Sequence, residues 1–322
     1  MNLFLSANTK GEAPMFRFLM PDATLPVREQ ILQLREQCNA FLLSVPLCEI
    51  FRLLRVDALS LRELYNGRKQ PDGRILESQE LTRQDDLEAF RSELYPLLRE
   101  LGFLNINRPL KNDYARILVL GGSLNACFTR TVCAKEHLQP SVQAVDALAC
   151  YRPLNPIERS TSVFSTAADT EFGAVSDAFA KVFGLDAAAA QDDFTGDRNL
   201  NGISCVRTFP APSEPAFRVF AAPSTRKDLR RADTDDSLLF YLDRTCPEAS
   251  DSFLMITDNR YCNRQLLQIA CRMLRLGRSA NLELIGCTPD ERIVTPEEYD
   301  PYQFLQDLIS ILDWIDRINT EL

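Results

Sequence analysis

Two hydrophobic periodicities divide this chain. Up to about residue 110 apolar positions recur at helical spacing, and from Arg116 onward short apolar runs alternate with helical stretches. In the first part Ile31, Leu34, Cys38 and Phe41 lie on one stripe of a helix that Pro26 can open and that runs to about Leu43. A short apolar segment follows from Leu47 to Leu54. Ser60 is expected to cap a helix over Leu61–Asn66 that Gly67 ends, and Asn66–Gly73 reads as a turn-rich loop. A longer helix is predicted over Thr82–Leu101. Leu87, Phe90, Leu94, Leu97, Leu98 and Leu101 form its stripe, Pro96 kinks it and Gly102 stops it.

Beyond Arg116 the predicted strands are Ile117–Leu120, Val142–Cys150, Ile203–Phe209, Phe217–Ala222, Phe253–Thr257 and Leu282–Gly286. The helices between them are Asn125–His137, Thr170–Phe183, Thr234–Arg244 and Tyr261–Leu276. Apolar strands alternating with helices predict an α/β fold, with a mostly parallel, Rossmann-like sheet covered by helices on both faces. Phe304, Leu308, Ile311, Leu312, Ile315 and Ile318 predict a C-terminal amphipathic helix that packs on this core. The alanine run Ala187–Ala190 with Gln191–Leu200 reads as a surface excursion, and Pro210–Pro215 as a rigid turn between strands. The expected organisation is therefore an all-helical domain over 1–112 followed by an α/β domain over 113–322. A length of 322 residues agrees with two domains of about 150 residues each.

Composition narrows the function classes. The net charge is −9 and the pI is near 4.9, so a bulk nucleic-acid interface is disfavoured. Leu59–Lys69 would accommodate a helix-turn-helix, and the acidic balance argues against that use. The 10 cysteines are irregularly spaced without a CxxC pair, and His137 is the one histidine. Zinc-finger chemistry is thereby excluded, and no metal site is expected. No secretory leader is visible, and no apolar run reaches the roughly 18 residues of a membrane span. The reading is a cytoplasmic protein with thiols kept reduced.

In a parallel α/β sheet ligands sit beyond the carboxyl ends of the strands, and four such ends carry polar residues. Gly121, Gly122 and Ser123 follow the first strand and open a helix. Glycines permit close backbone approach, and the helix start offers N–H groups to an anion. Arg130 lies two turns further on. The second end leads to Arg231, Asp233 and Thr234, read either as a ribose- or amine-binding loop or as plain helix capping. The third is Thr257–Asp258, running on to Tyr261, again with capping as the alternative. The fourth, Ala168–Glu171, follows Arg152 and Glu158 and reads as first-turn chemistry. Covalent catalysis finds little support. No GxSxG occurs, His137 falls at a helix C-terminus where it would complement the dipole, and Cys127 reads as a buried thiol.

Val119–Gly122 ending a first strand, with Arg130 on the next helix, resembles the opening of the SanA/YdcF-like family of bacterial proteins of unknown function. That family continues with an Asn-rich helix start and then a strand ending in Val-Thr-Ser before a His and an Arg. Arg231–Asp236 and Leu254–Tyr261 stand at those places here, so the resemblance covers about 116–286. The family His has no counterpart, and Asp stands for Asn twice near Thr234. The resemblance implies a Rossmann-like fold holding a nucleotide-type ligand, with S-adenosylmethionine as one candidate cofactor. The leading functional expectation is a binder of a nucleotide or other small anionic metabolite, acting as a transferase or hydrolase if catalytic. Its expected contacts are Gly121, Gly122, Ser123, Arg130, Arg231, Asp233, Thr234, Thr257, Asp258 and Tyr261. The alternative is a regulatory protein whose front helices bind a protein partner.

Overall fold

The computed structural model describes residues 5–6, 15–65, 85–104, 107–195, 202–211, 213–225, 231–248, 250–287 and 300–322. The expected loop Asn66–Gly73, with Gly67 at its start, and the span 82–84 lie outside these residues, as does 196–200. The chain forms two compact units. One comprises the described parts of Met1–Asn107, Asn259–Ser279 and Val294–Leu322, and the other those of Arg108–Asp258 and Ala280–Ile293. The helical unit is thus not the first 112 residues alone. It also takes in the helix after Asp258 and the C-terminal helix.

Among the described residues the α/β unit holds seven strands: β3 (Arg116–Leu120), β4 (Ala144–Ala149), β5 (Gln191–Thr195), β6 (Ser204–Phe209), β7 (Ala216–Ala221), β8 (Ser252–Asp258) and β9 (Asn281–Cys287). Their order is β5-β6-β7-β4-β3-β8-β9. The five strands from β7 to β9 are parallel, and β6 and β5 add antiparallel at one edge. From central β3 the chain steps outward to β4 and β7, then returns to the other side of β3 for β8 and β9. The alanine run forms a short 3-10 turn, and Gln191–Thr195 is an exposed edge strand, as the surface reading required.

Helices cover both faces of this sheet. Helices α5 (Leu124–Glu136) and α7 (Glu171–Phe183) lie on one face, where Cys127, Ala134, Phe172, Val175 and Phe179 pack with Ile117, Val119, Val145, Ala147, Leu254 and Ile256. Helix α6 (Pro156–Thr161) is a short turn preceding α7. On the opposite face α8 (Thr234–Thr245) sets Tyr241 against Phe220 and Phe253. The strands are less purely apolar than their pattern suggests. Asp146 in the middle of β4 is fully buried, held by Arg218 Nε and Nη2 at 2.8 Å each and by the Tyr241 hydroxyl at 2.8 Å. A buried carboxylate survives there because each of its oxygens has a donor.

The helical unit contains β1 (Leu5–Ser6) paired with β2 (Met15–Phe16), a two-strand ladder that periodicity did not indicate. Its helices are α1 (Val27–Leu42), α2 (Val45–Leu54), α3 (Ala58–Tyr65), α4 (Arg91–Glu100), α9 (Cys262–Arg275) and α10 (Pro301–Glu321). Asp57 rather than Ser60 caps α3, since Ser60 lies inside the helix and its N–H donates to the Asp57 carboxylate at 2.7 Å. A 3-10 stretch, Asp85–Phe90, replaces the first turns of the helix expected from Thr82. Gly102 ends α4 with a φ of +81°, and a Cβ there would fall 2.4 Å from the Phe16 carbonyl oxygen. Helix α10 buries Phe304, Leu308, Ile311, Leu312, Ile315 and Ile318, the stripe the sequence predicts, and packs against α9, α3, α1 and α4 of its own unit. No single described helix is long and apolar enough to cross a membrane. Helices α1 and α2 would be so only together, and they are bent by 44°.

Candidate functional site

The turn from β3 into α5 is built around two glycines whose space is already claimed. Gly121 donates its N–H to the Leu148 carbonyl at 2.7 Å. A Cβ on Gly121 would lie 2.3 Å from a Glu171 carboxylate oxygen and 3.0 Å from the Leu148 oxygen. A Cβ on Gly122 would lie 3.0 Å from Arg130 Nη1. The protein's own side chains therefore account for both glycines. Ser123 is exposed and caps α5, its hydroxyl accepting from the Ala126 N–H at 3.4 Å.

Arg130 is buried and committed. Its Nε and Nη2 make a bidentate pair with Asp258 at 2.9 and 2.8 Å, and its Nη1 donates to the Leu120 oxygen at 3.0 Å and to the Gly121 oxygen. Burial works against its charge, and Asp258 more than restores it, so the guanidinium stays protonated. Arg130, expected among the ligand contacts, ties the end of β3 to the end of β8 through these bonds.

Arg152, just past the end of β4, does the same on the other side. Its Nε donates to Glu171 at 2.7 Å, its Nη1 to Glu158 at 3.0 Å, and its Nη2 to the Gly122 oxygen. Three successive carbonyls, those of Leu120, Gly121 and Gly122, are thus turned onto buried Arg130 and half-buried Arg152. Among the described residues the N–H groups of Gly122 and Ser123 donate to no partner, and those of Leu124 and Asn125 are first-turn groups that a helix leaves without an internal acceptor.

At the third strand end Thr257 is fully buried, and its hydroxyl has no partner among the described residues. Asp258 is spent on Arg130. The loop after β7 reaches the same end of the sheet, because Ala232 packs with Ala222 and Cys150. Arg231 lies close enough to Cys150 to act on it electrostatically. Asp233 caps α8 in a reciprocal box with Asp236, at 3.2 and 3.3 Å, so the capping reading of Asp233 holds whatever else it does. Burial, then a hydrogen bond and repulsion from Asp235, push the Asp233 carboxyl up to about 8. Thr234 is the first residue of α8.

Tyr261 belongs to the helical unit. It precedes α9, with the guanidiniums of Arg260 and Arg264 at 4.7 and 5.0 Å from its ring centre. Arg260 in turn pairs with buried Asp307 of α10 at 2.8 Å. Within the α/β unit the structure therefore joins Gly121, Gly122, Arg130 and Asp258 directly, and brings Arg231–Thr234 to the same edge.

Arg152, Glu158 and Glu171 belong to the fourth strand end, which the sequence placed outside the expected ligand contacts. Their signal was present: an arginine two residues past an apolar strand, followed by glutamates at helix starts. It had the form of ordinary first-turn acidity. The thiols at this end are not poised nucleophiles. Burial pushes Cys127 and Cys150 up to about 12. Among the described residues no group of three His, Cys, Asp or Glu side chains is placed to hold a metal ion. No protein-family model matches the chain, and no curated protein matches it.

Proposed function

We propose that the α/β unit is a Rossmann-like domain that binds a small anionic metabolite of the nucleotide type, S-adenosylmethionine among the candidates, at the β3–α5 turn. One observation carries the reading. Two arginines, Arg130 buried and Arg152 half-buried, draw three consecutive carbonyls inward, leaving the backbone from Gly122 to Asn125 with its N–H groups as the unused hydrogen-bonding face. Consecutive N–H groups at a helix start favour phosphate or carboxylate. The strand order supports the same place, since β3 and β8 are where the chain reverses direction across the sheet. The likeness of Val119–Gly122, Arg130 and Leu254–Asp258 to SanA/YdcF-like proteins points the same way. In this reading Gly122 and Ser123 contact the anion, Arg130, Arg152 and Asp258 position the turn, and Arg231, Asp233 and Thr234 face the rest of the ligand. A transferase or hydrolase acting on that ligand is its enzymatic form.

The test is a thermal-shift panel of nucleotides, S-adenosylmethionine and inorganic phosphate on wild type and Ser123→Asp. Aspartate keeps the cap and places a negative charge where the anion would sit. A ligand at 100 times its Kd stabilises by about 2.7 kcal/mol, so a clear upward shift is expected for wild type and none for the variant. No shift with any member of the panel, or equal shifts in both proteins, would overturn the reading.

A second reading has its own observation. Leu43, between α1 and α2, and Val45, the first residue of α2, are 79% and 72% exposed, and Leu32, Leu59 and Leu64 are exposed on α1 and α3. Several exposed apolar side chains on the front helices fit a protein-binding surface. A Leu43→Ser, Val45→Ser double variant that changes the sedimentation of a complex without changing the melting temperature would favour it.

A further inference from the structure

Buried polar side chains of the α/β unit are bonded within the fold. Thr131 and Ser176 donate to helix carbonyls at 2.7 and 2.8 Å, and Asp146 accepts from Arg218 and Tyr241. Thr257 breaks this rule. It is fully buried, and its Oγ1 is the one buried side-chain polar atom of this unit without a partner among the described residues. A buried hydroxyl left unbonded costs the free fold stability, and a ligand that bonds it offsets that cost.

Strand alternation fixes where that hydroxyl points. Leu254 and Ile256 of β8 join the core under α5 and α7, and Asp258 meets Arg130 of α5. Phe253 instead lies against Tyr241 of α8. Thr257 alternates with Ile256 and Asp258, so it shares the α8 side of the sheet with Phe253. The register sets it beside Gly286 of β9 on one flank. On the other flank it follows the pair Val119–Ile256 and so stands level with Leu120, the last residue of β3 before Gly121 and Gly122. The loop that leads into α8 reaches the same strand ends, with Ala232 packed on Ala222 and Cys150 and Asp233 capping the helix.

We propose that Thr257 is a specificity-determining residue of the same site. Its hydroxyl takes a sugar hydroxyl of the ligand, while the backbone N–H groups of the β3–α5 turn take the anion. The inference rests on the anion reading of that turn and adds the chemistry that stands beside the anion. Adjacent strands lie about 4.8 Å apart. Thr257 sits within the end of β8, whereas the turn lies beyond the end of β3. Inorganic phosphate held by the N–H groups does not span both places, and a sugar phosphate of the nucleotide kind does. A threonine hydroxyl donates and accepts, so it matches a sugar hydroxyl in either sense. A site built this way rejects an analogue without the hydroxyl, because its own buried group is then left unpaired.

The experiment titrates the intact wild type, Thr257→Val and Thr257→Ser with ribonucleoside monophosphates, S-adenosylmethionine and inorganic phosphate by calorimetry, and unfolds each free protein in urea. Thr257→Val is expected to unfold at a urea midpoint equal to or above wild type, since no internal bond is lost. It should bind the nucleotide that wild type prefers about three- to tenfold more weakly, with phosphate affinity unchanged. Thr257→Ser keeps the hydroxyl and should bind as wild type does. A lower urea midpoint for Thr257→Val would show the hydroxyl to be structural and overturn the proposal. So would equal nucleotide affinity in wild type and Thr257→Val, or a loss of phosphate affinity as large as that for the nucleotide. Binding of phosphate with no preference for a nucleotide would overturn this inference and leave the anion reading standing, whereas no binding of any of these ligands would overturn both.

Discussion

Replacing Arg130 with Met would leave the Asp258 carboxylate and the Leu120 and Gly121 carbonyls without their donor inside the sheet end. Removing one partner of a buried ion pair costs about 3–5 kcal/mol, so the variant is expected to lose that much in urea unfolding even without any ligand. A residue that only gripped a ligand would leave the free protein's stability nearly unchanged, which makes this measurement a direct check on its role. The glycines differ in how firmly their space is held. At Gly121 part of the obstacle is the Leu148 backbone oxygen, which cannot swing away, while at Gly122 it is the pinned tip of Arg130 and the Ala126 methyl. Gly121→Ala and Gly122→Ala are each expected to destabilise by about 1–3 kcal/mol, Gly121→Ala by more, as read from the urea midpoint.

At the scale of the element, α8 carries a pH-dependent start. Asp233 caps it, yet its carboxyl is raised from 3.8 to about 8 by burial and by Asp235 and Asp236. A raised folded value means that the native state holds the proton more tightly than the unfolded chain. The contribution is therefore complete below about 4 and is lost as the pH rises through about 8. Asp233→Asn preserves the cap without an ionisable group. It is expected to flatten stability between pH 5 and about 9 and to exceed wild type at the alkaline end, measured by urea unfolding across that range. A variant as steeply pH-dependent as wild type would place the titration elsewhere.

At the scale of the molecule, the helical unit is assembled from three stretches of chain, with α9 and α10 packed together and Arg260 paired to Asp307 beneath them. A chain ending before Pro301 is expected to lose more helical signal in far-UV circular dichroism than the 21 residues of α10 account for, because α1, α3, α4 and α9 lose the apolar face they pack on. A loss limited to α10 itself would show the other helices to be self-sufficient.

Local rules made the elements legible. Periodicity located the described strands β3, β4, β6, β7, β8 and β9 within one or two residues, because a buried parallel strand needs an unbroken apolar run. Capping chemistry located the start of α8 at Asp233, and in the structure Ser123 and Thr170 cap α5 and α7 in the same way, each satisfying an N–H group three residues on. The candidate turn was visible as Gly-Gly-Ser after β3 for the same reason. Long-range pairing was not visible. Nothing near Arg130 in the chain indicates that its partner is Asp258, or that Arg152 would reach back to Gly122, because those bonds join strand ends that only the sheet order sets side by side. The same holds for α9 and α10: their stripes state that they are buried, and α10 packs on the helices of its own unit, not on the α/β core expected for it. The sequence by itself determined which residues form elements and which faces they hide, since those follow from neighbours a few positions away. Only the tertiary structure decided which charges meet at the turn, because Arg130 and Asp258, and Arg152 and Gly122, are joined across strand ends that the sheet order sets side by side.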